Sequence, residues 1–177
     1  MAGTLISLER IQKLLATKFC KPWNTHPGMR DNCCNLFCLD CCGGSQHALC
    51  RWCVFNHAGG SHHRMLQIRK CSLHEAVRCH DLDGLLDVSG IQKYIINNGY
   101  VFYLKPRPFP GKLTKDGKQR RGMSSPFSCY SCQRALIGVA RFCSIACKVY
   151  LFSHPKYLIL PPAHWPHFPL LDIAKLY

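Results

Sequence analysis

Negative charge is scarce in this chain. Nine Asp and Glu stand against twenty-three Lys and Arg in 177 residues, leaving a formal net charge of +14. Such a balance favours a polyanionic partner: DNA, RNA or an acidic membrane surface. Simple solubility rarely requires so one-sided an excess. Long apolar runs are missing too, and no stretch approaches the roughly 18 residues of a membrane-spanning helix. A cleavable export leader is not expected, because Glu9, Arg10 and Lys13 interrupt the apolar residues of the first twenty positions. The H-E-x-x-H metalloprotease motif is absent, and His74-Glu75 lacks the spacer of the H-x-E deaminase signature. No βαβ pattern surrounds any C-x-x-C, which argues against a thioredoxin-like site. No carboxylate is placed as a base beside an open metal position. The chain is therefore not expected to be an enzyme or to take a small-molecule substrate.

Cysteine, by contrast, is abundant. Fourteen of them would suit an exported disulfide framework, but in a reducing compartment C-x-x-C pairs read as metal half-sites. The order is His26, eleven residues, Cys38-x2-Cys41, eight residues, Cys50-x2-Cys53, then His57 and the pair His62-His63. A second cluster follows: Cys129-x2-Cys132, ten residues, Cys143-x3-Cys147. Each C-x-x-C turn offers two thiolates to one tetrahedral Zn²⁺, and two half-sites must meet to close a shell of four. Two to three structural zinc ions are expected, supplying folding energy that a modest core cannot. Cys71, His74, Cys79 and His80 could form a further group, although their spacing suits a core thiol and ordinary polar histidines better.

These features predict a small α+β zinc-stabilised fold. Residues 1–18 form an amphipathic helix with Leu5, Leu8, Ile11 (or Gln12) and Leu15 on the face that packs on the first zinc module. Residues 19–64 form that module, mostly Gly- and Pro-rich loop with a short strand at Asn35–Leu39. A β-rich region spans 65–104. It holds a strand at 65–68, a short helix at 80–87, and strands at 91–96 and 100–104 around Asn97-Asn98-Gly99. Asn-Gly between β-branched and aromatic runs is a strong hairpin signal, since both central residues tolerate positive φ. Residues 105–126 form a flexible basic linker, suited to phosphate contact or nuclear import. A four-cysteine zinc knuckle occupies 127–148, and an apolar, Pro-rich tail without a functional reading occupies 149–177.

The segments NCCNLFCLDC (32–41), MLQIRK (65–70), IQKYIINNGYVFYLKPRP (91–108) and RFCSIACK (141–148) together resemble the PLATZ family. The resemblance implies a nuclear, zinc-dependent transcriptional regulator, usually a repressor, acting on A/T-rich double-stranded DNA with transcription-machinery proteins as further partners. It also implies a B-box-like, cross-braced first module. Its ligands would be His26, Cys38, Cys41, Cys50, Cys53, His57 and His63, and those of the knuckle Cys129, Cys132, Cys143 and Cys147. Cross-bracing assigns Cys38, Cys41, His57 and His63 to one ion, with His62 as a substitute for His63. It leaves His26, Cys50 and Cys53 one ligand short, because Trp23 stands where the family offers its first Cys. Cys20, or else Cys33 or Cys34, would have to close that site.

The basic residues expected on phosphate are Arg64, Arg69, Lys70, Lys93, Lys105 and Arg107, with Lys112, Lys115, Lys118, Arg120 and Arg121 of the linker. A/T preference fits narrow, electronegative minor grooves that attract Arg. No segment resembles a base-reading helix, so shape readout is expected over a major-groove code. The alternative is a zinc-stabilised protein–protein interaction module without direct DNA contact, its apolar surface supplied by the 149–177 tail. A RING-type ligase is disfavoured by the lack of a C-x-H-x2-C core.

Overall fold

The computed structural model describes residues 5–22, 26–41, 48–57, 62–107 and 126–153. Linker residues 108–125 and tail residues 154–177 fall outside these, as do Trp23 and Cys42. The chain divides into two compact units. Of the described residues, one holds those up to Asp87 with the hairpin tip Ile95–Val101, and the other holds Val88–Tyr94 and those from Phe102 to Ser153.

Helix α1, Leu8–Ala16, starts where the Ser7 side chain accepts from the Arg10 N–H. It stops where the Thr17 N–H and hydroxyl both donate to the Lys13 carbonyl. Glu9 and Lys13, one turn apart, form an ion pair of 2.7 Å. Of the expected face Leu5, Leu8, Ile11 (or Gln12) and Leu15, Ile11 is buried, Leu8 and Leu15 are half-buried and Leu5 is exposed, while Leu14 joins Ile11 in the buried stripe. Ile6 explains the shift: its N–H donates to the Leu85 carbonyl at 2.8 Å, so the chain enters the helix with Ile6 turned inward.

A three-stranded antiparallel sheet has β1 (Leu36–Cys38) at its centre, between β2 (Ala48–Leu49) and β3 (Met65–Gln67). Its register sets Leu36 opposite both Leu49 and Gln67, and Cys38 opposite Met65. Helix α2, Arg51–Phe55, follows β2 directly. A second sheet has the order β4-β5-β7-β6, from β4 (Arg69–Cys71), β5 (His74–Arg78), β6 (Tyr94–Ile96) and β7 (Gly99–Tyr103). Each of its two hairpins turns on a pair of left-handed residues, Ser72-Leu73 and Asn97-Asn98. The second pair revises the expected turn. Asn-Asn takes both central positions, and Gly99 opens β7, where a Cβ would overlap the Arg78 guanidinium.

Two other expectations are corrected. Residues 80–87 form a 3₁₀ turn, Cys79–Leu82, and the left-handed Gly84 prevents a longer helix. The strand expected at 91–96 is shortened to Tyr94–Ile96, because Ile91 bridges to Phe142 and the Gln92 N–H donates to the Phe142 carbonyl. In the first unit the core gathers Leu14, Phe19, Phe37, Leu66, Ile68, Val77 and Leu82. In the second it gathers Ile91, Phe102, Leu104, Leu136, Phe142 and Ile145, the last on α3 (Ile145–Ser153).

Candidate metal centres

Three groups of ligand-type side chains converge among the described residues: Cys38–Cys41–His57–His63, Cys129–Cys132–Cys143–Cys147 and His26–Cys50–Cys53. Within each group every ligand atom lies within 4.8 Å of every other. Bond lengths of about 2.3 Å (Zn–S) and 2.0 Å (Zn–N) at tetrahedral angles put ligand atoms roughly 3.3–3.8 Å apart. A disulfide would need about 2.05 Å. The closest separations run from 3.0 Å (Cys41 Sγ to His57 Nε2) to 3.6 Å (Cys53 Sγ to His26 Nδ1), and none of these cysteines is in a disulfide. The donor sets therefore fit a tetrahedral thiophilic ion such as Zn²⁺.

In the first group Cys38 ends β1, and the Cys41 N–H donates back to its sulfur at 3.3 Å. His57 closes α2, with its N–H on the Val54 carbonyl. His63 Nδ1 stands 3.5 Å from Cys38 Sγ and 3.3 Å from Cys41 Sγ. His62 is exposed, so the structure brings His63 to the group. A carboxylate clamp ties the two halves together. Asp40, between the two cysteines, accepts the Arg64 N–H at 2.6 Å and the Arg64 guanidinium at 2.7 Å. Arg64 hydrogen-bonded there holds the Asp40 carboxyl below its usual range. Helix α1 joins the clamp, since Arg10 Nη2 donates to the Asp40 carbonyl at 3.3 Å.

In the four-cysteine group a turn with left-handed Gln133 presents Cys129 and Cys132, and the Cys143 N–H donates to Cys129 Sγ at 3.4 Å. Ser144 caps α3 by accepting the Cys147 N–H, which fixes Cys147 on the first helical turn. The packed thiols oppose one another's ionisation. Hydrogen bonds from Cys143 and Cys147 favour the Cys129 thiolate, while Cys129 pushes Cys147 up to about 11 and Cys143 well above the thiol range. A cation among them would let all four ionise. Lys148, only 5% exposed, follows Cys147 and donates to the Ser89 carbonyl at 3.0 Å. Its ammonium also donates to the Ser89 hydroxyl at 3.2 Å, which ties the residue after Cys147 to the segment before Gly90.

The third group sits on α2, where Cys50 Sγ is 3.5 Å from Cys53 Sγ and 3.3 Å from His26 Nδ1. Cys20 is not brought to it. Its backbone pairs with Cys34 instead, its N–H donating to the Cys34 carbonyl at 2.8 Å. Nor do Cys71, His74, Cys79 and His80 gather. Cys71 faces His74 across the β4–β5 hairpin, and His80 contacts Asp81 at 3.0 Å.

The expected phosphate-binding residues divide. Lys70 on β4 and Lys93 before β6 are exposed, and Lys105 is half-buried. Arg64 is held by Asp40, and Arg69 donates to Gln67 Oε1 at 2.9 Å. Arg107 lies over the Tyr94 ring at 4.6 Å and the Tyr103 ring at 4.4 Å, which makes it a structural cation. Lys112, Lys115, Lys118, Arg120 and Arg121 lie outside the described residues. The Asp40–Arg64 clamp was not anticipated from the sequence, although Asp40 between two ligands was a visible cue.

No solved structure matches the chain. A curated relative, RGF1-inducible transcription factor 1 of Arabidopsis thaliana, is 36% identical over 139 residues. That alignment takes in 78% of this chain and 48% of the relative, so the chain spans about half the relative's length. The family model described as PLATZ transcription factor matches residues 69–149, from β4 through the four-cysteine group. By these matches, and by the ordered ligand groups they accompany, residues 69–149 of the chain form a PLATZ family region.

Proposed function

We propose that the protein is a nuclear, zinc-dependent DNA-binding transcriptional regulator, a repressor acting on A/T-rich sequence. The observation that carries this reading is a family of transcription factors, not enzymes, combined with a net charge of +14. The ligand groups would hold two to three structural zinc ions. Cys38, Cys41, His57 and His63 would hold one and the four-cysteine group another, with His26, Cys50 and Cys53 contributing to a third. The interleaving of the first and third groups along residues 26–63 supports a cross-braced, B-box-like module, because the ligands of one set alternate with those of the other.

Among the described residues the helices are short and committed to core or ligand positions, which favours backbone and groove-shape recognition over a base-reading helix. Lys70 and Lys93 would meet phosphates directly, and the linker cluster Lys112, Lys115, Lys118, Arg120 and Arg121 would add charge. Fluorescence anisotropy with A/T-rich and G/C-rich duplexes of equal length tests the proposal. Tighter binding to the A/T-rich duplex is expected. Equal affinity for both would remove the A/T preference, and no binding at low salt would remove direct DNA contact. The last result would favour a protein-interaction module, for which Ile137 and Val139, exposed on the segment between the knuckle's ligand pairs, would be the starting surface.

A further inference from the structure

In the first unit the β4–β5 hairpin closes with Cys71 opposite His74 and turns on Ser72 and Leu73, left-handed at φ 48° and 69°. A two-residue turn of that kind favours Asn, Asp or Gly, because a branched apolar side chain crowds the backbone there. The other non-glycine residues at positive φ in the described parts of the chain are cysteine, aspartate, serine, asparagine and glutamine. Leu73 also gains little from burial, since it is 83% exposed. Backbone strain and apolar exposure thus meet at one residue, and neither serves the fold.

The flank of this tip is basic. Lys70 stands opposite Glu75 in the β4–β5 register, and the Glu75 carboxylate accepts the Phe19 N–H at 2.7 Å. That bond sets the segment around Phe19 beside the hairpin, with Lys18 just before Phe19 and Lys21 two residues after it. Lys18, Lys21 and Lys70 are all exposed. Three ammonium groups therefore accompany one carboxylate that already holds a backbone N–H. An apolar protein pocket would take the leucine and leave the lysines without partners. A nucleic-acid groove takes both, with cations on its phosphates and an apolar tip between its bases.

We propose that Leu73 is a wedge that enters the minor groove of A/T-rich duplex between two base pairs, while Lys18, Lys21 and Lys70 hold the flanking phosphates. The inference rests on the DNA-binding reading above and deepens it by naming the element that meets the bases. Such wedges partly unstack a base step and bend the duplex by roughly 20–90°. A/T-rich sequence suits them, because its narrow groove draws cations and its TA steps kink readily. The wedge itself is uncharged, so its contribution is independent of salt.

An A/T-rich duplex labelled at both ends for energy transfer, titrated with the zinc-loaded full chain, tests the proposal. Wild type should bend the duplex. Leu73→Asn should bind about tenfold more weakly and without bending, at an unchanged salt slope. Its melting midpoint should equal or exceed that of wild type, because asparagine accepts the left-handed turn. Leu73→Met, which keeps an apolar tip, should keep the bend. Replacing Lys18, Lys21 and Lys70 together with Gln should instead flatten the slope by about 2.7, at roughly 0.9 per phosphate. Wild type that binds without bending, or a Leu73→Asn chain that keeps wild-type affinity or melts lower, would overturn the wedge while leaving DNA binding intact. A wild-type chain that binds no duplex at low salt would overturn both.

Discussion

Arg107→Met should cost stability without touching DNA affinity. The guanidinium lies 4.6 Å from the centroid of Tyr94 and 4.4 Å from that of Tyr103, both within the reach of a cation–π contact. Each such contact contributes about 0.5–1 kcal/mol at partly exposed sites, so losing both should cost about 1–2 kcal/mol. Met retains most of the apolar stem, which isolates the loss of charge. The Arg134 side chain donates to the Arg107 backbone carbonyl at 2.7 Å, a bond the substitution leaves in place. Near-UV circular dichroism reports on the Tyr94–Tyr103 pair, whose rings stand edge-to-face at 4.8 Å. Its melting midpoint should fall by about 2–8 °C in a chain of this size. Burial raises the Tyr94 phenol and the Arg107 hydrogen bond opposes that rise, so the phenol of the variant should titrate still higher. A phosphate contact would behave otherwise, flattening the slope of log K against log salt by about 0.9. A variant with wild-type melting and a flatter salt slope would refute the structural role.

Lys148→Met should cost the second unit about 1–3 kcal/mol, because it removes the charge-assisted hydrogen bonds of a buried ammonium to the Ser89 carbonyl and hydroxyl, and a wild-type unfolding midpoint would contradict this. Gly90→Ala should destabilise the second unit by about 1–3 kcal/mol, because Gly90 has φ +72° and a Cβ there would meet Arg141 Nε at 2.8 Å; an unchanged unfolding midpoint would count against it. Neutralising Lys115, Lys118, Arg120 and Arg121 together should flatten the salt slope by roughly 3–4 and weaken A/T-rich and random duplexes alike. A quadruple variant with wild-type affinity and slope would leave nuclear import as the linker's role.

The ligand groups were legible in the sequence because coordination chemistry acts over short spacings. A C-x-x-C turn delivers its two sulfurs whatever surrounds it, and the structure gathers the ligand atoms of each set within 4.8 Å of one another. Closure was less legible. His63 was separated from His62 only by the path of the chain into β3, and the pairing of Cys20–Pro22 with Cys33–Cys34, which engages the Cys20 backbone away from the third group, arises only in the fold. The hairpin at Asn97-Asn98 announced itself through residues that tolerate positive φ. The hairpin at Ser72-Leu73 did not, because Leu73 at φ 69° is an apolar residue that turns seldom use. Helix α2, five residues long, is too short to show a periodicity. Charge was the most misleading guide. Arg64 and Arg107 counted as free cations in the sequence, yet Asp40 holds one and two tyrosine rings hold the other. Those partners come together only through folding.

The account joins zinc to nucleic acid, and one titration examines both ends of that link. A fluorescent A/T-rich duplex would be titrated with the zinc-loaded full chain across a series of salt concentrations. The titration would then be repeated after strong chelation and after zinc is restored. The expected result is binding that weakens steeply with salt, disappears on chelation and returns with zinc. Binding unaffected by chelation, or no binding to the zinc-loaded chain even at low salt, would contradict the account.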